Sequence, residues 1–547
     1  MKRRDIIKGL TLLPLSGGLG TALAGEAAGA ARISGSGPAG VAASAGAAEN
    51  IFRTLGVEPL INCRGTFTII GGSLERPSVR AAMDAASRSF VQYDELADGI
   101  GKRLAELTGA PWGMVSAGCA AGLKHVTAAC VTGGNPEKLI RIPDLTGFEK
   151  TEVIIPATSR NVYDHAVRNI GVKVITVADM TELEHAISAR TAMIYCTSED
   201  SGPCPLEEIV KAVKGKNVPI LVDAAAEDLT IPNVHLKRGA TIVAYSGGKA
   251  LCGPQCAGLL LGDKEILMSA WQASSPHHGP GRDNKVGREE MIGMLAAVEA
   301  WVSLDHTAKW KTWLGWLNTI AKKLTSIDGV SANIHEPTEL SNKSPFLVVS
   351  WDPAKWNLTG DELAEELGRT TPRIAVGSGG KNRKEAGAPT SIDITTGQMQ
   401  QGEELLVADR IYALLSKKRP AQDAAQKAPG GNVAGQWEVS VAFFSSKSNH
   451  SFFLEQDGNW LQGTHQGDFS VQELTGTIEG GQVKFRSMAR RPGDHITYLF
   501  SGVLNGDEIK GSIYLGEYRT ATFTALRKKT KSVREPITIP SGPPLAT

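Results

Sequence analysis

Residues 218 to 249 constrain the fold more than any other stretch of this chain. They read Val218-Pro-Ile-Leu-Val-Asp223, then Ala-Ala-Ala-Glu227, a connection, and Ala240-Thr-Ile-Val-Ala-Tyr-Ser-Gly-Gly-Lys249. Each half opens with a short run rich in Val, Ile and Leu. A continuous run of this kind reads as a strand buried on both faces, as in a parallel sheet covered by helices. The first run ends in Asp223 and the second in Ser246-Gly-Gly-Lys249. In open α/β sheets, the carboxyl ends of strands carry the chemistry.

A carboxylate at one strand end and a lysine 26 residues later at another suit pyridoxal 5′-phosphate (PLP). The lysine amine holds the cofactor aldehyde. The carboxylate keeps the pyridine nitrogen protonated, so that the ring draws electrons from the substrate α-carbon. The two glycines let the backbone turn sharply and approach the cofactor. Taken alone, the pair also fits a helix N-cap and a solvated lysine.

At 547 residues the chain exceeds one domain. Its 58 basic and 57 acidic residues leave a net charge of +1, with no electrostatic footprint for nucleic acid. The seven cysteines lie between Cys63 and Cys256. Cys252-Gly-Pro-Gln-Cys256 lacks zinc-ligand spacing, so free thiols and no metal site are expected.

Residues 1–24 contain Lys2-Arg-Arg-Asp-Ile-Ile-Lys8, a modest apolar stretch and Ala22-Leu-Ala24. This is the order of a twin-arginine signal, predicting export to the periplasm or medium. The apolar stretch is too short to span a membrane stably. Residues 25–50, Ala, Gly and Ser with hardly any charge, read as a flexible linker.

A large domain is expected over 51–304. Two helical patterns, 77–92 and 96–108, precede Trp112-Gly-Met-Val-Ser116, a strand running into Ala117-Gly-Cys-Ala-Ala-Gly122. A helix starting at Gly118 and Cys119 offers bare N–H groups to a phosphate; small-residue packing is the blander reading of the same stretch. Strands at 152–156, 172–177 and 191–196 alternate with helices at 161–170, 181–189 and 205–214. This alternation predicts a mostly parallel sheet. A long amphipathic helical region covers 288–325, its tryptophans taken as core or interdomain packing. Residues 305–417 read as a small α+β lobe, with helices at 361–368 and 401–416, and 418–434 as a linker.

Beyond the linker the hydrophobic period becomes two. Runs at 435–444, 451–456, 483–486, 496–502 and 521–526 alternate, and Asp457-Gly458, Glu479-Gly-Gly481 and Asn505-Gly506 mark turns. Residues 435–528 therefore predict an all-β, barrel-like domain, up-and-down in order. It shows no cysteine and no carboxylate–histidine constellation. It could take an apolar ligand or a cell-wall glycan, but a stabilising or docking role is the favoured reading, and its alternating core is separable from the first. Residues 529–547 form a Lys- and Pro-rich tail.

Residues 51–417 resemble the fold-type I PLP-dependent enzymes, on the branch of selenocysteine synthase (the seryl-tRNA selenium transferase) and D-glucosaminate-6-phosphate ammonia-lyase. The likeness rests on Ile61-Asn-Cys-Arg-Gly-Thr66, Gly71-Gly-Ser-Leu-Glu75, Ser116-Ala-Gly-Cys-Ala-Ala-Gly122, Tyr163-Asp-His-Ala166, Leu221-Val-Asp-Ala-Ala-Ala-Glu227, Tyr245-Ser-Gly-Gly-Lys249 and Lys285-Val-Gly-Arg-Glu-Glu290. It implies the PLP-transferase fold, mostly parallel sheet plus small α+β lobe. Lys249 resembles the cofactor-holding lysine and Asp223 the partner of the pyridine nitrogen. Gly118, Cys119 and Ser246 fall where the family binds phosphate, although Cys119 replaces the expected Ala or Ser. His165 resembles the residue stacked on the ring. Arg373 is the candidate for the substrate carboxylate, and a surface arginine is its equal alternative. Arg282 and Lys285 are candidates to reach a neighbouring subunit's site, in a homodimer or higher homo-oligomer.

The resulting expectation is an exported lyase that converts a 2-amino-3-hydroxy acid, an amino-sugar acid or related amino acid, into a 2-keto acid and ammonia. Selenium transfer to seryl-tRNA sits badly with export and near-zero charge. Racemase or aldolase chemistry uses the same residues. A non-catalytic binding protein is disfavoured by the presence of both Asp223 and Lys249.

Overall fold

A computed structural model describes residues 50–198, 202–380, 389–420 and 426–529. The signal and most of the 25–50 linker fall outside these residues, as does nearly all of the tail. Residues to Val57 make one compact unit and Glu58 onward the other. The described part of the first holds the helix Ile51–Thr54, capped by the Asn50 side chain.

The second unit contains the expected large sheet. Its seven strands run in the order Trp112–Ser116, Gly258–Gly262, Ile242–Ser246, Ile220–Asp223, Thr191–Thr197, Glu152–Pro156, Lys173–Val177. The strands from Ile242–Ser246 to Lys173–Val177 pair in parallel. Gly258–Gly262 lies antiparallel between Trp112–Ser116 and Ile242–Ser246. Its central strands are buried along almost their whole length, as continuous apolar runs require.

Helix bounds differ where capping chemistry intervenes. The region 288–325 is two helices, Arg288–Val302 and His306–Leu324, because the Asp305 side chain accepts from Ala308 N and starts the second. The pattern at 161–170 is a short 3₁₀ turn and a four-residue helix, His165–Arg168, started by Asn161. Of the tryptophans, Trp301 and Trp313 are buried, and the Trp301 indole donates to Leu229 O at 2.9 Å.

The small lobe carries a five-stranded sheet that corrects the division at 304 in one respect. Leu60–Cys63, far upstream, pairs in parallel with Arg373–Gly380. The chain crosses the small lobe before it builds the large sheet.

Residues Gly435–Arg527 form a closed, eight-stranded barrel in which every strand pairs with its neighbours in sequence and the last pairs with the first. Trp437, Phe452, Phe485, Phe500 and Phe523 pack its interior. The lumen is filled, which corrects the expectation of room for an apolar ligand. One end of the interior is polar. His450 and His465 share a hydrogen bond of 2.9 Å, His465 meets Ser487 Oγ at 2.7 Å, and Asp468 lies 3.6 Å from His450. A carboxylate–histidine group does exist in this domain. The sequence hid it, because its members sit on different strands.

Candidate active site

The parallel pairing of Ile220–Asp223 with Ile242–Ser246 sets Asp223 opposite Ala244, two residues before Ser246. Asp223 is buried. Its Oδ2 accepts from Tyr195 OH at 2.8 Å and its Oδ1 from Ala225 N at 3.1 Å. Burial pushes its carboxyl above the usual range, while the Tyr195 and Ala225 bonds and the charge of Lys249 pull it back. Such a carboxylate calls for a cation at close range. A protonated pyridine nitrogen meets that need, so the donor set fits the cofactor.

Cys119 joins this carboxylate from a helix more than a hundred residues upstream. Its thiol donates to Asp223 Oδ1 at 3.7 Å. Burial, then the charge of Asp223, push the thiol well up, and Lys249 pulls it down. The thiol therefore stays protonated and remains a donor. Asp223, Cys119 and Lys249 thus converge.

Lys249 follows the Ser246–Gly248 turn and is half-buried. Its amine has no hydrogen bond or ion pair among the described residues. The turn is packed from below by the Gly71-Gly72 motif. Gly72 has φ +66, and a Cβ there would sit 2.9 Å from Gly248 O. This close approach explains why two glycine motifs so distant in sequence serve one site.

The helix Cys119–Thr132 begins at Gly118 without a side-chain cap and with no acidic residue in its first turn. Its leading N–H groups are bare, as an anion cradle needs. A Cβ on Gly258 would come within 2.6 Å of Cys119 N. Gly258 is thus a site residue that the sequence reading missed. Its signal was weak, a single glycine opening the apolar run Gly258–Gly262. Ser246, at the neighbouring strand end, has a hydroxyl with no partner among the described residues.

The other candidates make no hydrogen bond or ion pair with Asp223, Cys119 or Lys249 among the described residues. His165 is exposed and heads the His165–Arg168 helix, which packs on Cys119–Thr132. Buried Asp164 anchors that segment between Arg160, at 2.5 Å, and Arg168, at 2.9 Å. Arg373 donates to Gly368 O at 2.8 Å and Glu58 O at 3.3 Å, with no bond to the Asp223 cluster. Arg282 and Lys285 are exposed on a loop pinned by Asp283, which accepts from buried Lys124 at 2.7 Å.

Sequence reasoning also missed Tyr195 and a contact from the barrel. Asn161 Nδ2 donates to Tyr195 OH at 3.2 Å, behind the bond to Asp223. The barrel hairpin at Pro492-Gly493 rests on the same segment. Arg160 Nη2 donates to Pro492 O at 3.3 Å. Gly493, with φ +78, lies so close that a Cβ would be 2.9 Å from Asn161 N. The barrel carries none of the PLP motifs, yet it touches the support of Asp223.

No protein-family profile matches the chain. It is 29% identical over 305 residues to a D-glucosaminate-6-phosphate ammonia lyase of Salmonella typhimurium (strain 14028s / SGSC 2262), covering 52% of this chain and 78% of that protein. It is 29% identical over 343 residues to a 5′-C-glycyluridine monooxygenase-decarboxylase of a Streptomyces species, covering 59% and 83%. A solved structure of D-glucosaminate-6-phosphate ammonia-lyase matches with a TM-score of 0.59 at 25% identity, over 68% of this chain and 99% of that one. The fold, the strand-end pair and these likenesses define a fold-type I PLP-dependent enzyme. Of these relatives one is an ammonia lyase and the other a monooxygenase-decarboxylase.

Proposed function

We propose that the substrate is a 2-amino-3-hydroxy acid of the amino-sugar-acid kind, converted to a 2-keto acid and ammonia. The observation that carries this reading is the convergence of Asp223, Lys249 and the bare helix start at Gly118. Bound PLP would supply an electron sink for the substrate α-carbon. Asp223 would hold the proton on the ring nitrogen, and Tyr195 would orient Asp223. The first-turn N–H groups of the Cys119–Thr132 helix, with Ser246, would hold the phosphate. Lys249 Nζ, the one free amine at this turn, would move the α-proton. His165 is proposed to cover the ring, and Arg373 to take the substrate carboxylate. Arg282 and Lys285 are proposed to reach a partner subunit in a homodimer.

The substrate class is supported by the likeness to the Salmonella ammonia lyase. The Streptomyces relative, equally similar, favours a second reading in which a 2-amino acid is oxidatively decarboxylated. Selenium transfer has no support beyond the motifs. Export by the twin-arginine route is proposed from Arg3-Arg4 and the apolar stretch after them.

The purified enzyme, given a panel of amino-sugar acids and β-hydroxy amino acids, should release ammonia and a 2-keto acid in equal amounts. Carbon dioxide release with oxygen uptake would establish the second reading instead. Borohydride reduction followed by peptide mapping should place the pyridoxyl group on Lys249, and Lys249→Ala should abolish turnover. A label on another lysine would overturn the site.

A further inference from the structure

With aromatic side chains packed in its lumen, the barrel offers its outer wall for binding. Its outward side chains stand in registered rows across the strands. One row runs Trp460, Thr477, Lys484, Ser501, Ser512. The next, two residues along each strand, runs Gln462, Thr475, Arg486, Leu499, Tyr514. Inward glycines tighten the wall beneath them. A Cβ on Gly476 would strike the carbonyl of Lys484, and one on Gly511 that of Ser501. Above this tightly coiled wall lies an outer groove of about 980 Å³, lined by both rows.

The groove has a definite chemical layout. Its ends are aromatic, with Trp460 64% and Tyr514 54% exposed. Its middle is basic, and neither Lys484 nor Arg486 has an ion pair or hydrogen bond among the described residues. Beside Trp460, Glu455 accepts from Gln462 at 2.8 Å, with Asp457 next to it in the lining. Hydroxyls of Thr475, Thr477, Ser501 and Ser512 fill the remainder.

We propose that this groove binds an acidic oligosaccharide. Sugar C–H faces stack on exposed aromatic rings, which combine apolar area with a polar handle. Carboxylates on the chain pair with Arg486 and Lys484, whose charges have no other partner. Sugar hydroxyls donate to Glu455 and Asp457. A peptide strand adds to a sheet edge, and a closed barrel has none. The lining crosses five neighbouring strands, from Trp460–Gln466 to Glu508–Tyr514, which calls for an oligomer and not a single sugar.

The test uses the full chain with its cofactor, titrated calorimetrically with tetragalacturonate, neutral cellotetraose and a single-stranded oligothymidylate. Tetragalacturonate should bind at least about tenfold more tightly than cellotetraose, and oligothymidylate should not bind. Trp460→Ala and Arg486→Ala should each weaken binding at least about tenfold, while leaving turnover and barrel unfolding unchanged. Lys249→Ala should bind as the parent does, which separates this result from the catalytic reading. Absence of tetragalacturonate binding would overturn the proposal, as would equal binding of cellotetraose, equal binding of oligothymidylate, or full affinity in Arg486→Ala.

Discussion

The parallel sheet and the closed barrel each bury a hydrophobic core but leave different surfaces free to act. In the sheet, helices cover both faces, so only the strand ends remain. Asp223, Ser246 and Lys249 stand there, and the helix start at Cys119 points at them. In the barrel, closure removes every edge and five aromatic side chains occupy the lumen. What remains is the outer wall and the hairpins. The wall carries the groove, and one hairpin reaches Asn161. Where each domain can act follows from how its architecture disposes of its strand ends and faces.

The sharpest break of this comparison removes the strand-end carboxylate. Asp223→Asn should keep the cofactor and lose at least about 100-fold in kcat, because an amide cannot hold the pyridinium proton. Turnover near that of the parent would refute the assignment.

The barrel should answer to pH through its buried histidine pair. Burial, then the charge of His450, push His465 down to about 3, and burial also lowers His450. Both folded values lie below the unfolded value of about 6.5. Their stabilising effect is therefore complete above pH 6.5 and is lost as pH falls toward 3. For His465 the loss between pH 7 and 5 is roughly 2 kcal/mol. Barrel unfolding in denaturant, followed at pH 7 and pH 5, should show it. Equal midpoints would mean that the histidine pair is not held neutral.

Tyr195→Phe should cost about tenfold in kcat, since it leaves Asp223 Oδ2 without its phenol donor. Burial, then Asp223, push the phenol far up, so it donates throughout the working pH range. A pH profile unchanged in shape but lowered in height is expected.

The smallest effect joins the two domains. Gly493→Val puts a Cβ on a backbone with φ +78, against Asn161. Activity should fall less than in Tyr195→Phe, with cofactor content unchanged. Combined with Tyr195→Phe, it should cost nothing further, because both act through one chain of bonds. A chain cut within 419–433 should likewise keep its cofactor and its reaction. Loss of cofactor on cutting would make the barrel part of the site itself.

Much of this molecule was legible in the residues alone, because the signals are local. Apolar runs at 220–223 and 242–246 marked buried strands, and each ended in its reactive side chain. Alternation at 435–441 and 521–526 marked barrel strands. The strands Trp460–Gln466, Val471–Glu479 and Glu508–Tyr514 were missed because inward glycines and polar residues interrupt their alternation.

The sequence by itself determined the class of architecture, the cofactor-holding lysine candidate and its carboxylate, since strand period and strand-end identity are properties of neighbouring residues. Only the tertiary structure decided which distant groups meet. It set Cys119 and Tyr195 on Asp223, Gly72 under Gly248, and Gly493 against Asn161. It also aligned Trp460, Lys484, Arg486 and Tyr514 along one groove. These meetings depend on strand order and cross-strand register, which the pairing of whole strands fixes and no single stretch of chain encodes.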